Sequence, residues 1–241
     1  MRVAGQPHFD EMLFGDVLGL HLQCTNHRLH LGGSDAIMND RQIREFFHRK
    51  RLRRHHADGD TVVVDELGLK HGRRRADIAV VNGHLIGYEI KSDEDSLCRL
   101  DEQIKAYGDV FDRATVIVGT KHTDAVFSLV PEWWGIIISR PGARGGISFE
   151  TARPPGLNRA VDPFSVAQLL WSNEATNILA ELGVPQKTLR QRRAVLYQLL
   201  VEMLRPDELR RRVRECLKNR RNWRCPPPPS PDDGSSPPYT K

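Results

Sequence analysis

Between residues 39 and 150 the hydrophobic positions change period several times, and each change marks an element. From Asn39 onward the apolar residues Ile43, Phe46 and Phe47 form one helical stripe. Asn39 and Gln42, three residues apart, have the makings of a capping box. Three short runs follow at 62–67, 76–81 and 85–91, with the length and β-branched content of strands. Asn82-Gly83 between the last two is a strong hairpin signal, because both residues tolerate positive φ. After Ser96, a cap residue, the helical period returns at Leu97, Leu100, Ile104, Tyr107 and Phe111. A buried strand is expected at 114–119, a short helix at 123–130 stopped before Pro131, and an apolar strand at 135–139. An edge strand at 147–150 follows the Gly-rich turn 142–146, and Trp133-Trp134 reads as a lid on the core. The order of helix, three strands, helix, strand, helix and strand predicts an α/β layout.

The pattern changes again after residue 152. Residues 153–163 are rich in Pro, Gly and Asn and read as a linker. Helices are expected at about 163–182, 187–204 and 206–221. The last opens on Pro206-Asp207-Glu208 and carries its arginines later, as the helix dipole favours. Its buried stripe is Leu209, Val213, Cys216 and Leu217. Arg210, Arg211 and Arg214 lie among the basic residues covering the rest, a surface suited either to a nucleic-acid backbone or to solubility. The expected organisation is therefore a disordered extension at 1–37, an α/β domain at 38–152, the linker, a basic helical region at 164–224, and a disordered Pro- and Ser-rich tail at 225–241.

Composition narrows the class. With 241 residues and 39% hydrophobic content the chain can bury one good core plus an appendage. No apolar run approaches the roughly 20 residues of a membrane helix, and no basic segment followed by an apolar one opens the chain. The four cysteines, Cys24, Cys98, Cys216 and Cys225, form no CxxC, so neither a disulfide framework nor a zinc knuckle is expected and a cytoplasmic setting is. A net charge of +5, carried in arginine-rich clusters, suits a phosphate-binding surface.

The chemistry lies in charged residues where a core strand would want Val or Ile. Asp77 opens the second run; Glu89 and Lys91, two apart, point the same way from the third. Two carboxylates and an ammonium on one sheet are costly unless paired, solvated or bound to a cation, and hard oxygen donors at strand ends suit Mg²⁺. Register matters here. A strict two-residue hairpin would set Asp77 opposite Tyr88, facing away from Glu89. A three-residue loop with a bulge at Gly83 would set it opposite Gly87 and beside Glu89, leaving open space over Gly87; this second register is the expected one. Glu66, at the end of the first run, is a further carboxylate, with Asp65 as its competitor.

Asp77, a hairpin and then Glu89-x-Lys91 resemble the PD-(D/E)XK signature of restriction-endonuclease-like nucleases. Gln103-x-x-x-Tyr107 on the following helix is similar to the QxxxY element of RecB-type nuclease domains. The likeness runs from about residue 39 to 119; Ala76 stands where the signature has proline. It extends to an uncharacterised bacterial family with the same core and an Arg-rich helical C-terminus, which lends no activity. The resemblance implies an α-β-β-β-α-β core with a mixed central sheet. It also implies Mg²⁺ (or Mn²⁺) held by Asp77, Glu89 and the Ile90 carbonyl, with Glu66 added directly or through water. Lys91 would orient the attacking water or stabilise charge, and Gln103 and Tyr107 would position substrate or the site carboxylates.

The expected function is thus hydrolysis of phosphodiester bonds, most readily in DNA, by a metal-activated water. Arg73, Arg74 and Arg75 directly before Asp77 are a candidate phosphate grip, and Arg51, Arg53 and Arg54 after the first helix a second basic face. Glu45, off the stripe of that helix, reads as a surface partner for an arginine. The rival readings are a nucleic-acid-binding module of the same fold without hydrolysis, and a protein-interaction module using the basic C-terminal helices.

Overall fold

The computed structural model describes residues 38–142 and 145–220. The extension at 1–37, the tail at 225–241 and Arg221 lie outside the described residues. Strands β1 (Val62–Leu69), β2 (Arg74–Val81), β3 (Leu85–Lys91), β4 (Arg113–Val118), β5 (Gly135–Pro141) and β6 (Ile147–Arg153) form a six-stranded sheet in sequence order. The helices are α1 (Asp40–Lys50), α2 (Arg53–Ala57), α3 (Leu100–Gly108), α4 (Thr123–Leu129), α5 (Pro163–Ala167), α6 (Ser172–Glu181), α7 (Gln186–Leu189), α8 (Arg193–Met203) and α9 (Pro206–Asn219). The first three strands and the last pair run antiparallel, while β3–β4 and β4–β5 run parallel. The expected α/β architecture with a mixed sheet between helices is therefore present.

Alternation along the strands divides the core between the two faces. Ile78, Val80, Ile90, Ile117 and Ile137 pack beneath α1, with Ile43, Phe47 and Leu52. Ala79, Val81, Leu85, Ala114, Val116 and Ile136 face the other way, against Tyr107 and Phe111. Leu196, Tyr197, Leu209, Val213 and Leu217 of α8 and α9 join that same cluster, so the C-terminal helices complete the core of the sheet. The stretch read as a linker is strapped to this core: Asn158 is buried and donates to the carbonyls of Gly108 and Phe111. The capping box at Asn39 and Gln42 forms as expected.

Several expectations need correction. The hairpin closes with Val81 opposite Leu85, so Ala79 faces Gly87 and Ile78 faces Tyr88. The expected partner of Asp77, Gly87, is thus two residues off. The three-residue loop 82–84 closes through its own polar groups, with the Asn82 side chain accepting from the His84 N–H, and neither Asn82 nor Gly83 adopts positive φ. Gly87 does not front open space either: a Cβ there would lie 2.8 Å from the Phe111 ring and 2.9 Å from the Tyr107 ring. Gly87→Ala is expected to lower stability by about 1–3 kcal/mol through overpacking, read as an unfolding midpoint in denaturant. The long helices expected at 163–182 and 187–204 each break into two pieces. Of the cysteines among the described residues, Cys98 is disulfide-bonded and Cys216 is free.

Candidate active site

The site forms where the regular ladder between β1, β2 and β3 fails. The β1–β2 pairing runs to Asp65↔Ile78 and resumes at Leu67↔Ala76, skipping Glu66 and Asp77. Glu66 has φ 57°, a left-handed conformation unfavourable for a residue with a Cβ. The irregular rung interrupts alternation on both strands: Val64 and Leu67 enter the same core cluster, as do Ala79 and Ala76. Glu66 and Asp77 are thereby turned out of the core. On the other side of β2 the β2–β3 pairing ends at Ile78↔Tyr88. Beyond it the Asp77 carboxylate fills the opening, accepting the Ile90 N–H on Oδ2 at 2.7 Å. Asp77 is thus held across from Glu89, by a register other than the one expected.

Glu89 is held by three donors. Its Oε1 accepts from Lys91 Nζ at 2.7 Å and from the Gln103 amide, and its Oε2 lies 2.8 Å from the Tyr107 hydroxyl. That hydroxyl also sits 3.0 Å from the Tyr88 carbonyl and accepts the Asp77 N–H at 3.3 Å. The QxxxY pair of α3 therefore links the two acidic strands, one residue on Glu89 and the other on both. Side chains of Glu89 and Lys91 are 1% and 9% exposed, so their ion pair is shut off from bulk water. Burial raises the Glu89 carboxyl above its usual range, against the pull of Lys91 and Tyr107. Burial, and then the neighbouring Glu89 charge, push Asp77 up to about 7, although the Ile90 N–H and Arg44 favour its ionised form. Tyr107 is driven well above its ordinary value by burial and by both carboxylates. Asp77 and Glu89 are thus two neighbouring carboxylates, both raised by burial, with Arg44 and Lys91 as their cationic partners.

In front of Asp77 a cleft of about 340 Å³ opens, lined by Glu66, Arg73, Arg74, Arg75, Asp77, Arg99 and Gln103 among others. All three arginines of the predicted phosphate grip line it. Arg73 is exposed, Arg74 pairs with Glu102, and Arg75 lies 3.2 Å from Glu66 Oε2. Gln103 Oε1 is buried there without a hydrogen-bond partner. Glu89 and Lys91 sit behind this cleft rather than on its wall.

The other predicted basic residues fall elsewhere. Arg51 donates to Thr151 on β6, and Arg53 and Arg54 are exposed on α2; none of the three lines the cleft. Arg210 and Arg214 reach Asp112, which also binds the Leu85 N–H, at the end of β3 opposite Glu89. Arg211 pairs with Glu208 and Glu215 on its own helix. Arg210, Arg211 and Arg214 of α9 thus each stand beside a carboxylate. Glu45 pairs with Arg41 on the surface, as expected.

Sequence reasoning missed Arg44. It projects from α1, beside the apolar stripe, with a side chain only 15% exposed, and its Nη2 lies 3.1–3.2 Å from carboxylate oxygens of Asp40, Glu66 and Asp77. Its burial opposes the charge, yet the three carboxylates outweigh that and raise its pKa further. The available signal was Asp40 four residues before Arg44, an i,i+4 pair at the edge of the stripe.

Oxygen donors of this kind are those that a hard divalent ion takes. Among the described residues no three His, Cys, Asp or Glu groups gather into a complete cage, but Mg²⁺ asks for only one or two carboxylates and keeps several waters. Asp77 and Glu89 are the two carboxylates that would be available to such an ion, and the raised Asp77 carboxyl is a group whose ionised form a cation would favour.

Residues 44–224 match the family described as Bacteriophage P4 protein cII. Protein cII of Enterobacteria phage P4 is 27% identical over 161 residues, which cover 67% of this chain. The chain spans 60% of that relative's length. Among solved structures, a protein of unknown function from Silicibacter pomeroyi matches with 19% identity and a TM-score of 0.39, over 63% of this chain and 95% of its own.

Proposed function

The chain belongs to the Bacteriophage P4 protein cII family, and we propose that it is a metal-dependent nuclease of restriction-endonuclease-like architecture, hydrolysing phosphodiester bonds in DNA. One observation carries this reading: Asp77 and Glu89, on strands that part between them, are joined through Tyr107 at the back of an arginine-lined cleft.

Asp77, Glu89 and the Ile90 carbonyl would hold Mg²⁺ or Mn²⁺, with Glu66 as a further carboxylate. The ion would supply polarisation of the scissile phosphate and a more acidic bound water. The chain's own residues do the rest. Gln103 and Tyr107 fix both oxygens of Glu89, so its carboxylate is oriented before any ligand arrives. Lys91, held 2.7 Å from Glu89 in a poorly solvated place, would counter the negative charge that develops at the phosphate. Arg73, Arg74, Arg75 and Arg99 offer guanidinium forks to the phosphates on either side. Alanine at Arg73 or Arg75 is expected to weaken DNA binding about equally for all sequences. Each should lower the slope of log affinity against log salt by about 1, measured by fluorescence anisotropy over a salt series.

One feature favours a second reading, a nucleic-acid-binding module without turnover: Lys91 and Arg44 already neutralise the acids of the site. The experiment that separates the two is incubation of supercoiled plasmid, linear duplex, single-stranded DNA and RNA with the protein in Mg²⁺ or Mn²⁺. Cleavage that stops on chelation supports the nuclease. Salt-sensitive binding of the same substrates with no cleavage in either metal supports the module. Helices long and apolar enough to cross a membrane are absent among the described residues.

A further inference from the structure

Arg44 occupies the oxygen that the site leaves for a cation. Asp77 Oδ2 is taken by the Ile90 N–H at 2.7 Å, which leaves Oδ1, and Arg44 Nη2 lies 3.2 Å from Oδ1. The same nitrogen is 3.1 Å from Glu66 Oε1 and 3.2 Å from Asp40 Oδ2. The guanidinium also donates to the main-chain carbonyl of Asp77. One nitrogen thus touches three carboxylates from three elements, α1, β1 and β2. These oxygens stand at hydrogen-bond distance from nitrogen, not at the roughly 2.1 Å of a magnesium shell.

We propose that Arg44 is a resident cation that competes with the divalent ion for Asp77 and Glu66, so that loading the site requires the guanidinium to withdraw. This inference rests on the nuclease reading and adds to it a positioning residue that sets metal affinity. The fold gives Arg44 somewhere to go. Asp40 lies one turn earlier on the same helix and is partly exposed, so Arg44 can release the two strand carboxylates and keep its helical partner. Once released, the guanidinium stands at the edge of the arginine-lined cleft, beside Glu66 and Asp77 that line it. Its loss leaves two strand carboxylates facing one less positive charge in a poorly solvated site, where such a charge weighs heavily.

The test is titration of the metal-free protein with Mn²⁺, followed by calorimetry and by the electron paramagnetic resonance signal of the free ion, in the absence of nucleic acid. Arg44→Gln is expected to bind Mn²⁺ about ten-fold more tightly than wild type, or better. Arg44→Lys, whose single ammonium cannot bridge three carboxylates as a planar fork does, is expected to bind more tightly than wild type by a smaller factor and guards against misfolding of the first variant. Wild-type or weaker affinity in a folded Arg44→Gln or Arg44→Lys protein overturns the competition while leaving the metal site intact. Failure of wild type and both variants to bind Mn²⁺ at all overturns the metal site itself, and the competition with it.

Discussion

Glu89→Gln and Lys91→Met are each expected to reduce phosphodiester cleavage by about 10³-fold or more, with DNA binding nearly unchanged, measured as single-turnover nicking of plasmid in Mg²⁺. Each change breaks the same buried pair from one side. Glutamine keeps the shape of Glu89 but leaves the Lys91 ammonium, 9% exposed, facing a neutral group, so this variant too is expected to lose stability. Methionine at position 91 leaves that buried carboxylate without its ammonium, a loss on the order of 3–5 kcal/mol at neutral pH when a buried pair is broken from one side. The double variant Glu89→Gln/Lys91→Met removes both charges together, and its stability should return towards that of wild type while cleavage stays absent. Recovery of stability without activity separates catalytic loss from unfolding. Wild-type cleavage by Glu89→Gln would refute the assignment of Glu89.

The second large effect concerns Asp77 and pH. Its carboxyl stands at about 7 in the folded protein, against about 3.9 for an aspartate in an unfolded chain. Between those values the folded state holds a proton that the unfolded chain has released. The stability this group contributes is therefore fully present below about pH 4 and is lost as pH rises through about 7. A shift of about 3 units corresponds to about 4 kcal/mol as an upper bound, and solvent screening of a side chain 22% exposed brings the expected swing down to about 1–3 kcal/mol. Asp77→Asn cannot titrate, so its unfolding midpoint should vary less between pH 4 and 8 than that of wild type. Above pH 7, Mg²⁺ should raise the melting temperature of wild type and leave Asp77→Asn unmoved, because binding to the native state alone stabilises it. The same pH slope in both proteins would mean that Asp77 is not the strained carboxylate of this site.

Much of the scaffold could be read from the chain because its signals are local. The stripe at Ile43 and Phe47, the β-branched runs and the 209/213/217 stripe depend on residues a few positions apart, and each lies buried where its period implies. The association of Asp77, Glu89 and Lys91 was also legible from charge at strand ends, and that of Gln103 and Tyr107 from the QxxxY likeness. The precise pairing was not. A three-residue loop was legible, but it spans 82–84, closed by the Asn82 side chain on the His84 N–H, without the expected bulge at Gly83; the resulting register sets Ala79, not Asp77, opposite Gly87. Gly87 is small because Phe111 and Tyr107 lie on it, a tertiary fact with no local signature. The left-handed Glu66 and the reach of Arg44 across 33 residues to Asp77 are likewise set by how strands and helix meet. The ion pairs of Arg210, Arg212 and Arg214 were not legible for the same reason: their partners Asp112 and Glu181 lie far away in the chain.

The central claim is that Asp77 and Glu89 together hold a catalytic divalent ion, and a crystal soaked in Mn²⁺ tests it most directly through the anomalous scattering of the metal. The account predicts a peak bonded to carboxylate oxygens of both residues, at the roughly 2.1–2.2 Å of such ligands, with the Arg44 guanidinium displaced. A fully soaked crystal with no peak at these carboxylates, and Arg44 still on Asp77, would contradict it.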